Sequence, residues 1–174
     1  MEVAVIGLGK MGAQIAEKLS NNDFKVYCYD VDENVSINID SNIVITKSIK
    51  DLVSKFKSKK IIWLMLPSGS VTNNTIEELN NLLESDDIII DGGNSFYKDS
   101  MENFIKCKTK NIHFIDCGTS GGIWGLKNGF CLTIGGEKNI YEEIKELFLA
   151  LSDKNSKGGL YVGQSGSGHY VKMI

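Results

Sequence analysis

The amino-acid sequence predicts an α/β fold in which helices cover both faces of a doubly wound, mostly parallel sheet. The first observation is a series of short, continuous apolar runs, which is typical of strands buried on both faces. The second is that segments with helical periodicity alternate with these runs, the order in which crossover helices join parallel strands. The third is a glycine-rich turn between the first run and the first helix.

In chain order, each apolar run predicts a strand and each amphipathic segment predicts a helix. The predicted strands are residues 1–6, 25–30, 42–45, 60–66, 87–91, 112–116 and 130–136. The predicted helices are residues 13–19, 48–56, 71–83, 96–109 and 141–151, and one more begins near Gly166. Loops rich in glycine or serine follow three strands, at residues 67–70, 92–95 and 118–122. Because ligands of such sheets bind beyond the carboxyl ends of the strands, we expect these loops to converge on one cleft.

Length and composition are those of one ordinary globular domain. The chain has 174 residues, of which 42% are hydrophobic and 24% are charged, with a net charge of −3. We find no basic stripe, no long apolar run and no signal peptide, so we expect a cytoplasmic protein with neither a nucleic-acid nor a membrane partner. The four cysteines are widely spaced without a CxxC pattern, so we expect neither a disulfide framework nor a metal site.

The glycine turn has the spacing of a dinucleotide-binding fingerprint. Gly7 permits a tight turn, Gly9 lets a pyrophosphate approach the backbone, and Gly12 lets the helix pack closely on the strand. The helix N-terminus then faces the phosphates. The alternative is a turn of the same shape that binds nothing. The residues predicted to contact the cofactor here are Gly7, Leu8, Gly9, Lys10, Met11 and Gly12.

Asp30 ends the second predicted strand, where an adenosine ribose would lie. A carboxylate there can accept hydrogen bonds from a free 2′-hydroxyl but repels a 2′-phosphate. Val31 and Asp32 follow, so the sequence supplies no arginine for such a phosphate. The sequence therefore favours NAD over NADP, with Asp30, Val31 and Asp32 around the ribose. Alternatively, Asp30 only caps a turn.

Glycines and two hydroxyl groups are concentrated directly after the strand at residues 112–116, in the run GTSGG. Backbone N–H groups that glycines expose can hold a carboxylate or a phosphate. This run therefore predicts a site for a small anionic substrate. The alternative is a glycine-rich surface turn.

Four segments together resemble the decarboxylating 6-phosphogluconate dehydrogenases: IGLGKMG, DGGNSFYKD, GTSGGIWGLKNG and GSGHYVKM. The resemblance covers essentially the whole chain. It implies a Rossmann-type cofactor domain and the oxidative decarboxylation of 6-phosphogluconate to ribulose 5-phosphate. Asp30 replaces the Asn-Arg-Thr of NADP-dependent members, which places the chain in an NAD-preferring branch. The 3-hydroxyisobutyrate and tartronate semialdehyde reductases share the glycine fingerprint and a Ser-Gly-Gly turn, but do not usually carry DGGNS.

The resemblance also implies roles for individual residues. Lys172 is the catalytic base, and no metal is required. Without the family motif, Lys172 would be read as an ordinary solvated helix lysine. His169 belongs either to the site or to helix packing. The implied substrate ligands are Asn94, Ser120, Gly121 and Gly122, and the implied nicotinamide contacts are Leu66, Pro67, Ser68 and Asn94.

The expected organisation is an NAD-binding domain over residues 1–163 and, over residues 164–174, the start of a helix that leads into a helical domain absent from this chain. In the family, that domain supplies the dimer interface and the substrate-phosphate ligands, and a His-Asn pair and a glutamate acid also follow the lysine. We therefore expect a homodimeric full-length enzyme and an inactive fragment. The alternatives are a 3-hydroxyacid dehydrogenase and a non-catalytic NAD-binding module.

Overall fold

The computed structural model describes residues 1–35 and 42–174. Within these residues, eight strands form one sheet in the order β3-β2-β1-β4-β5-β6-β7-β8. Neighbouring strands are parallel except β6 and β7, which are antiparallel. The predicted doubly wound, mostly parallel sheet is confirmed. The strands are β1 Glu2–Ile6, β2 Lys25–Tyr29, β3 Val44–Ile45, β4 Ile61–Leu64, β5 Ile88–Asp91, β6 His113–Ser120, β7 Cys131–Gly135 and β8 Leu160–Gly163.

In chain order, helices alternate with the strands, as the sequence predicts, and the last helix follows β8. Their bounds are α1 Lys10–Ser20, α2 Ile49–Ser54, α3 Ser70–Leu82, α4 Tyr97–Lys108, α5 Gly125–Asn128, α6 Lys138–Glu143, α7 Lys145–Leu151 and α8 Ser167–Met173. A short 3₁₀ helix, Gly122–Trp124, precedes α5. Strands β2 and β3 are added on one side of β1, and β4 and the later strands on its other side. This change of direction opens a crevice at the carboxyl end of β1.

Two apolar layers fill the space between the sheet and its helices. In β1, Val3 and Val5 belong to the layer under α1, α6 and α7, whereas Ala4 and Ile6 belong to the layer under α2, α3 and α4. Successive side chains of a strand point to opposite faces, so a continuous apolar run is what a doubly covered sheet requires. Trp63 of β4 is fully buried in the first layer.

The predicted loop at residues 118–122 is partly wrong, because β6 continues as a strand to Ser120. Its last residues pair with β7, with Gly118 opposite Thr133 and Ser120 opposite Cys131. The antiparallel neighbour supplies backbone partners that the sequence did not reveal. The turn itself is confined to Gly121 and the short helix that follows.

The predicted helix at residues 141–151 is also partly wrong. It is two helices, α6 and α7, that meet at Ile144, whose φ of −108° and ψ of 20° are not helical. A buried isoleucine at this position carries no sequence signal of a break. Strand β8 was not predicted, and it lies at the edge of the sheet beside β7. In the parts of the chain that the structure describes, no helix has the length and apolar character to cross a bilayer.

Candidate functional site

The glycine turn after β1 is held by close backbone contacts. Gly7 has a φ of 94°, and a Cβ atom added there would lie 2.2 Å from the Met65 carbonyl oxygen. A Cβ atom added at Gly12 would lie 1.9 Å from the Gly7 carbonyl oxygen. Only glycine fits at these two positions, because real Cβ atoms do not approach so closely. Gly12 therefore lets α1 pack against the turn, as its spacing predicts.

Gly9 differs from its neighbours because it faces open space. Apart from Gly9 itself and its two chain neighbours, no heavy atom of residues 1–35 or 42–174 lies within 4 Å of a Cβ atom added there. Gly9 is the N-cap residue of α1, and among the described residues it makes no side-chain capping hydrogen bond. The N–H groups of a first helical turn lack intrahelical partners and favour an anion. Lys10 is exposed beside this surface, while the side chains of Leu8 and Met11 pack in the core.

Asp30 follows β2 and connects the strand to the glycine turn. Its Oδ2 accepts a 2.6 Å hydrogen bond from the Leu8 N–H, and its Oδ1 accepts one of 2.8 Å from the Asp32 N–H. The second bond is the turn cap that the alternative interpretation predicts, and the first ties the carboxylate to the glycine turn. Val31 is 87% exposed.

A cleft of about 510 Å³ opens around Asp30 and includes Asp32, Glu33 and Lys47. Three carboxylates and one cation therefore surround the place where a ribose would lie. Sequence reasoning missed Lys47, because only the pairing of β2 with β3 brings it to this cleft.

The loops after β4 and β5 lie side by side, as predicted. A Cβ atom added at Gly93 would lie 2.7 Å from the Leu66 carbonyl oxygen, so the two backbones touch. Thr72 donates a 2.7 Å hydrogen bond from Oγ1 to the Pro67 carbonyl oxygen, which fixes the first loop to α3. Pro67 and Ser68 are exposed, and Leu66 is half-buried.

Lys172 of α8 reaches the same edge of the sheet. Its Nζ donates to Asn94 Oδ1 and, over 2.8 Å, to the Thr119 carbonyl oxygen. Desolvation by burial lowers the pKa of the Lys172 ammonium below the ordinary lysine value. Within the described ranges no carboxylate lies at ion-pair distance from it. The side chain is thus half-buried and hydrogen-bonded, not a freely solvated surface lysine.

The turn after β6 begins beside this lysine, because the lysine binds the carbonyl oxygen of Thr119 near the end of that strand. Ser120 ends the strand, and Gly121 and Gly122 follow it in the turn. Ser120 is exposed, and Gly121 and Gly122 have φ values of 153° and 51°, which favour glycine. The following helix α5 is tied to α1, because Leu126 N–H donates to Gln14 Oε1 over 3.0 Å. The turn is therefore anchored to the helix of the glycine fingerprint.

A buried polar cluster lies beneath the site. His169 is 1% exposed, and its Nδ1 is 2.7 Å from Ser100 Oγ, so this histidine packs between α8 and α4. Its Nε2 is buried without a hydrogen-bond partner among the described residues. Burial raises the pKa of Asp91, which accepts a 2.5 Å hydrogen bond from Ser95 Oγ. Sequence reasoning missed Asp116, which is fully buried in the same cluster.

The reversed strand order, the glycine turn against α1 and the acid at the end of β2 are those of a dinucleotide-binding α/β domain. Residues 2–163 match the NAD binding domain of 6-phosphogluconate dehydrogenase. The chain belongs to this family, and the resemblance drawn from its four motifs is confirmed.

Two relatives illustrate the match. The chain is 37% identical over its whole length to the "6-phosphogluconate dehydrogenase, NAD(+)-dependent, decarboxylating" of Haloferax volcanii, and it spans 57% of that protein. It is 36% identical over 99% of its length to the NADP(+)-dependent decarboxylating 6-phosphogluconate dehydrogenase of Bacillus subtilis, and it spans 38% of that protein. The two relatives differ in cofactor, so the comparison supports an NAD(P)-binding domain without deciding between the two dinucleotides.

Solved structures agree with the fold. The 6-phosphogluconate dehydrogenase of Plasmodium falciparum, described in apo form and in complex with NADP+ and with 6-phosphogluconate, superposes with a TM-score of 0.90 at 28% identity. That match covers 99% of this chain and 39% of the Plasmodium chain. The 3-hydroxyisobutyrate dehydrogenase of Mycobacterium tuberculosis superposes with a TM-score of 0.88 at 20% identity, over 98% of this chain and 57% of its own, and so shares the fold.

Proposed function

We propose that this chain is the cofactor-binding part of an enzyme that oxidises and decarboxylates 6-phosphogluconate to ribulose 5-phosphate, with NAD as the hydride acceptor. The observation that carries the proposal is the position of Lys172 Nζ between Asn94 and Thr119 at the end of the cleft. Residues 1–163 form the NAD-binding domain in this proposal, and residues 164–174 begin a helix that leads into a helical domain. The greater length of the Haloferax and Bacillus relatives supports this division.

The residues of the glycine turn fit a dinucleotide. The open surface at Gly9 leaves room for a pyrophosphate directly at the N-terminus of α1, where a negative charge is favoured. NAD supplies the acceptor for the hydride when it is bound. The nicotinamide half is proposed to lie along the loops after β4 and β5, against Leu66, Pro67, Ser68 and Asn94.

The net negative charge of the cleft around Asp30, where we place the adenosine ribose, supports a preference for NAD. Asp30, Asp32 and Glu33 outnumber Lys47 there, so a 2′-phosphate would enter a site of net negative charge. The Asp30 carboxylate uses one hydrogen bond to each of two N–H groups, and its two oxygens retain lone pairs for ribose hydroxyls.

Lys172 acts in this proposal as the base of the oxidation. In its neutral form it accepts the proton of the substrate C3 hydroxyl as the hydride leaves, and in its protonated form it polarises the 3-keto group while carbon dioxide departs. The lowered pKa increases the neutral fraction near physiological pH. Asn94, Ser120, Gly121 and Gly122 hold the substrate carboxylate and hydroxyls, where Ser120 and Gly122 face open space.

A substrate panel tests the reaction. The protein expressed from its full reading frame should reduce NAD with 6-phosphogluconate, release carbon dioxide in equal amount, and leave 3-hydroxyisobutyrate unchanged. Faster reduction with 3-hydroxyisobutyrate would make the chain part of a 3-hydroxyacid dehydrogenase. The 174-residue chain should bind NAD in a calorimetric titration without turning over 6-phosphogluconate, and a steady NADH signal from it would contradict that expectation.

Cofactor preference is tested on the same chain. NAD should bind about 10-fold more tightly than NADP, which corresponds to roughly 1.4 kcal/mol. Asp30→Asn should narrow this ratio, because the amide no longer repels a 2′-phosphate. Asp23→Asn is the matched control, since Asp23 is exposed at the other end of α1 and its φ of 65° suits asparagine. Equal or tighter binding of NADP by the unaltered chain would contradict the preference.

A further inference from the structure

Helix α8, which carries Lys172, is fixed at its N-terminus by a side chain from the sheet. Its N-cap residue is Gly166, which has no side chain to cap the helix. Asp116 of β6 takes that role: its Oδ1 accepts a 2.7 Å hydrogen bond from the Gly166 N–H, and its Oδ2 accepts one of 2.9 Å from the His169 N–H. Asp116 is fully buried, so water does not compete for these bonds.

Two bonds to one carboxyl group fix the rotation of the helix as well as its position along the axis. The Gly166 and His169 N–H groups belong to the first turn, and Lys172 lies three residues beyond His169, on the same side of the helix. A lysine amine extends about 8 Å from a helix axis, so a rotation of about 20° would move it by roughly 3 Å. That displacement would break both hydrogen bonds of the Lys172 amine.

Glycines set how closely α8 approaches the sheet. A Cβ atom added at Gly168 would lie 2.4 Å from the Asp116 carbonyl oxygen, and one added at Gly118 would lie 2.7 Å from Lys172 Cβ. Thr133 of β7 also donates a 2.8 Å hydrogen bond from Oγ1 to the Gly168 carbonyl oxygen. Close packing thus sets the distance between α8 and the sheet, and the Asp116 carboxyl group sets its rotation.

We propose that Asp116 is the positioning residue for Lys172. It holds the first turn of α8 so that the amine lies, half-buried, between Asn94 Oδ1 and the Thr119 carbonyl oxygen. The inference rests on the proposed function in that Lys172 is the base there. Asp116 itself touches neither the amine nor the open cleft, and acts through the helix.

The first test measures the pKa of the Lys172 amine in the 174-residue chain, by NMR titration of the lysine side chains. Asp116→Asn keeps the shape of the side chain but leaves one of the two N–H groups facing an NH₂ group. The helix then turns, the amine becomes solvated, and its pKa rises toward the ordinary value of 10.5. Loss of a negative charge without movement would shift this pKa in the opposite direction, so the sign decides between the two roles.

Asp87→Asn is the matched control. Asp87 is also buried, and its two oxygens accept hydrogen bonds from the Lys60 and Glu84 N–H groups at 2.9 and 2.8 Å, at the opposite edge of the sheet. This variant should lower the melting temperature and leave the Lys172 pKa unchanged. An unchanged or lowered Lys172 pKa in Asp116→Asn overturns the proposal. If Asp116→Asn does not fold, amide exchange in the unaltered chain decides, because a His169 N–H that exchanges as fast as exposed amides overturns it too.

Kinetics of the protein that turns over 6-phosphogluconate separate this inference from the proposed function. Asp116→Asn should lower kcat by about 10- to 100-fold, as displacement of a reacting group does, with unchanged affinity for NAD. If Lys172→Met retains turnover, the proposed function is wrong. If Lys172→Met is inactive while Asp116→Asn keeps a normal kcat, the positioning role of Asp116 is wrong.

Discussion

The end of the cleft that we propose for the dinucleotide is built mainly from residues 7–30, with Met65 and Lys47 beside them, whereas the group around Lys172 comes from Asn94, Asp116, Thr119 and α8. At the first end, backbone contacts between glycines and carbonyl oxygens set the geometry. At the second, side chains and carbonyl groups far apart in the chain meet one lysine. Changes at the first end should therefore act through steric fit, and changes at the second through the placement of one amine.

The largest effect is expected at the second end. Lys172→Met keeps much of the stem volume and removes the proton acceptor, so in the protein expressed from its full reading frame kcat with 6-phosphogluconate should fall by about 10²–10⁴-fold. NAD affinity, measured by calorimetry, should not change. Lys127→Met on α5 is the control, because Lys127 is exposed and lies near the same turn. Near-normal turnover of Lys172→Met would require another base.

The pH profile of kcat tests the same lysine. The neutral amine is the active form of the base, so activity should be lost as pH falls through the pKa of Lys172. Because burial lowers this pKa, the acidic limb should lie below 10.5, the ordinary lysine value. The limb should disappear in Lys172→Met. A limb that persists in the residual activity of that variant would assign the titration to a different group.

Substitutions at two glycines test whether steric fit sets the geometry of the first end. Gly12→Ala places a methyl group 1.9 Å from the Gly7 carbonyl oxygen, and should lower the free energy of unfolding by about 1–3 kcal/mol, as overpacking does. Gly9→Ala meets open space, and its φ of −62° and ψ of −172° suit alanine. Gly9→Ala should leave the free energy of urea unfolding unchanged yet weaken NAD binding, because the methyl group occupies the open surface that we propose for the pyrophosphate. Unchanged NAD affinity in Gly9→Ala would move the pyrophosphate elsewhere.

The smallest effect is expected at Ser120. Ser120→Ala removes one hydrogen bond to substrate, so KM for 6-phosphogluconate should rise by about 2- to 10-fold, the value of a typical hydrogen bond. Its effect on kcat should be smaller than that of Lys172→Met. Ser85→Ala, an exposed change at the opposite edge of the sheet, should leave both constants unchanged. A fall in kcat without a rise in KM would mean that Ser120 acts in the transition state alone.

These two ends also differ in how far the sequence predicted them. Gly12 packs against the nearby Gly7, and Asp30 directly follows β2, so spacing alone was enough to predict the turn and the place of the acid. The hydrogen bond from the Leu8 N–H to Asp30 was not predicted. The hydrogen bond between Lys172 and Asn94 joins residues 78 positions apart, and only the family resemblance suggested that they share a site. The role of Asp116 depends on two backbone N–H groups, which leave no trace in side-chain patterns.

Strand pairing explains two features that the sequence did not predict. The sequence at residues 118–122 has the glycines of a loop, and it forms a strand up to Ser120 because β7 supplies hydrogen-bond partners. Such tertiary pairing overrides local propensity. Likewise, Lys47 enters the cleft around Asp30 through the register of β2 and β3, in which Cys28 lies opposite Ile45.

Cys131 lies opposite Ser120 in the pairing of β6 with β7, and it offers an attachment site for a fluorescent reporter. Cys28, Cys107 and Cys117 are buried, and burial raises the pKa of all three thiols, whereas Cys131 is exposed. Side chains opposite each other in an antiparallel pair lie about 5 Å apart at Cβ. A maleimide dye should therefore label the unaltered protein at Cys131, within a few ångströms of Ser120, where its emission would report occupancy of the glycine turn without any engineered cysteine.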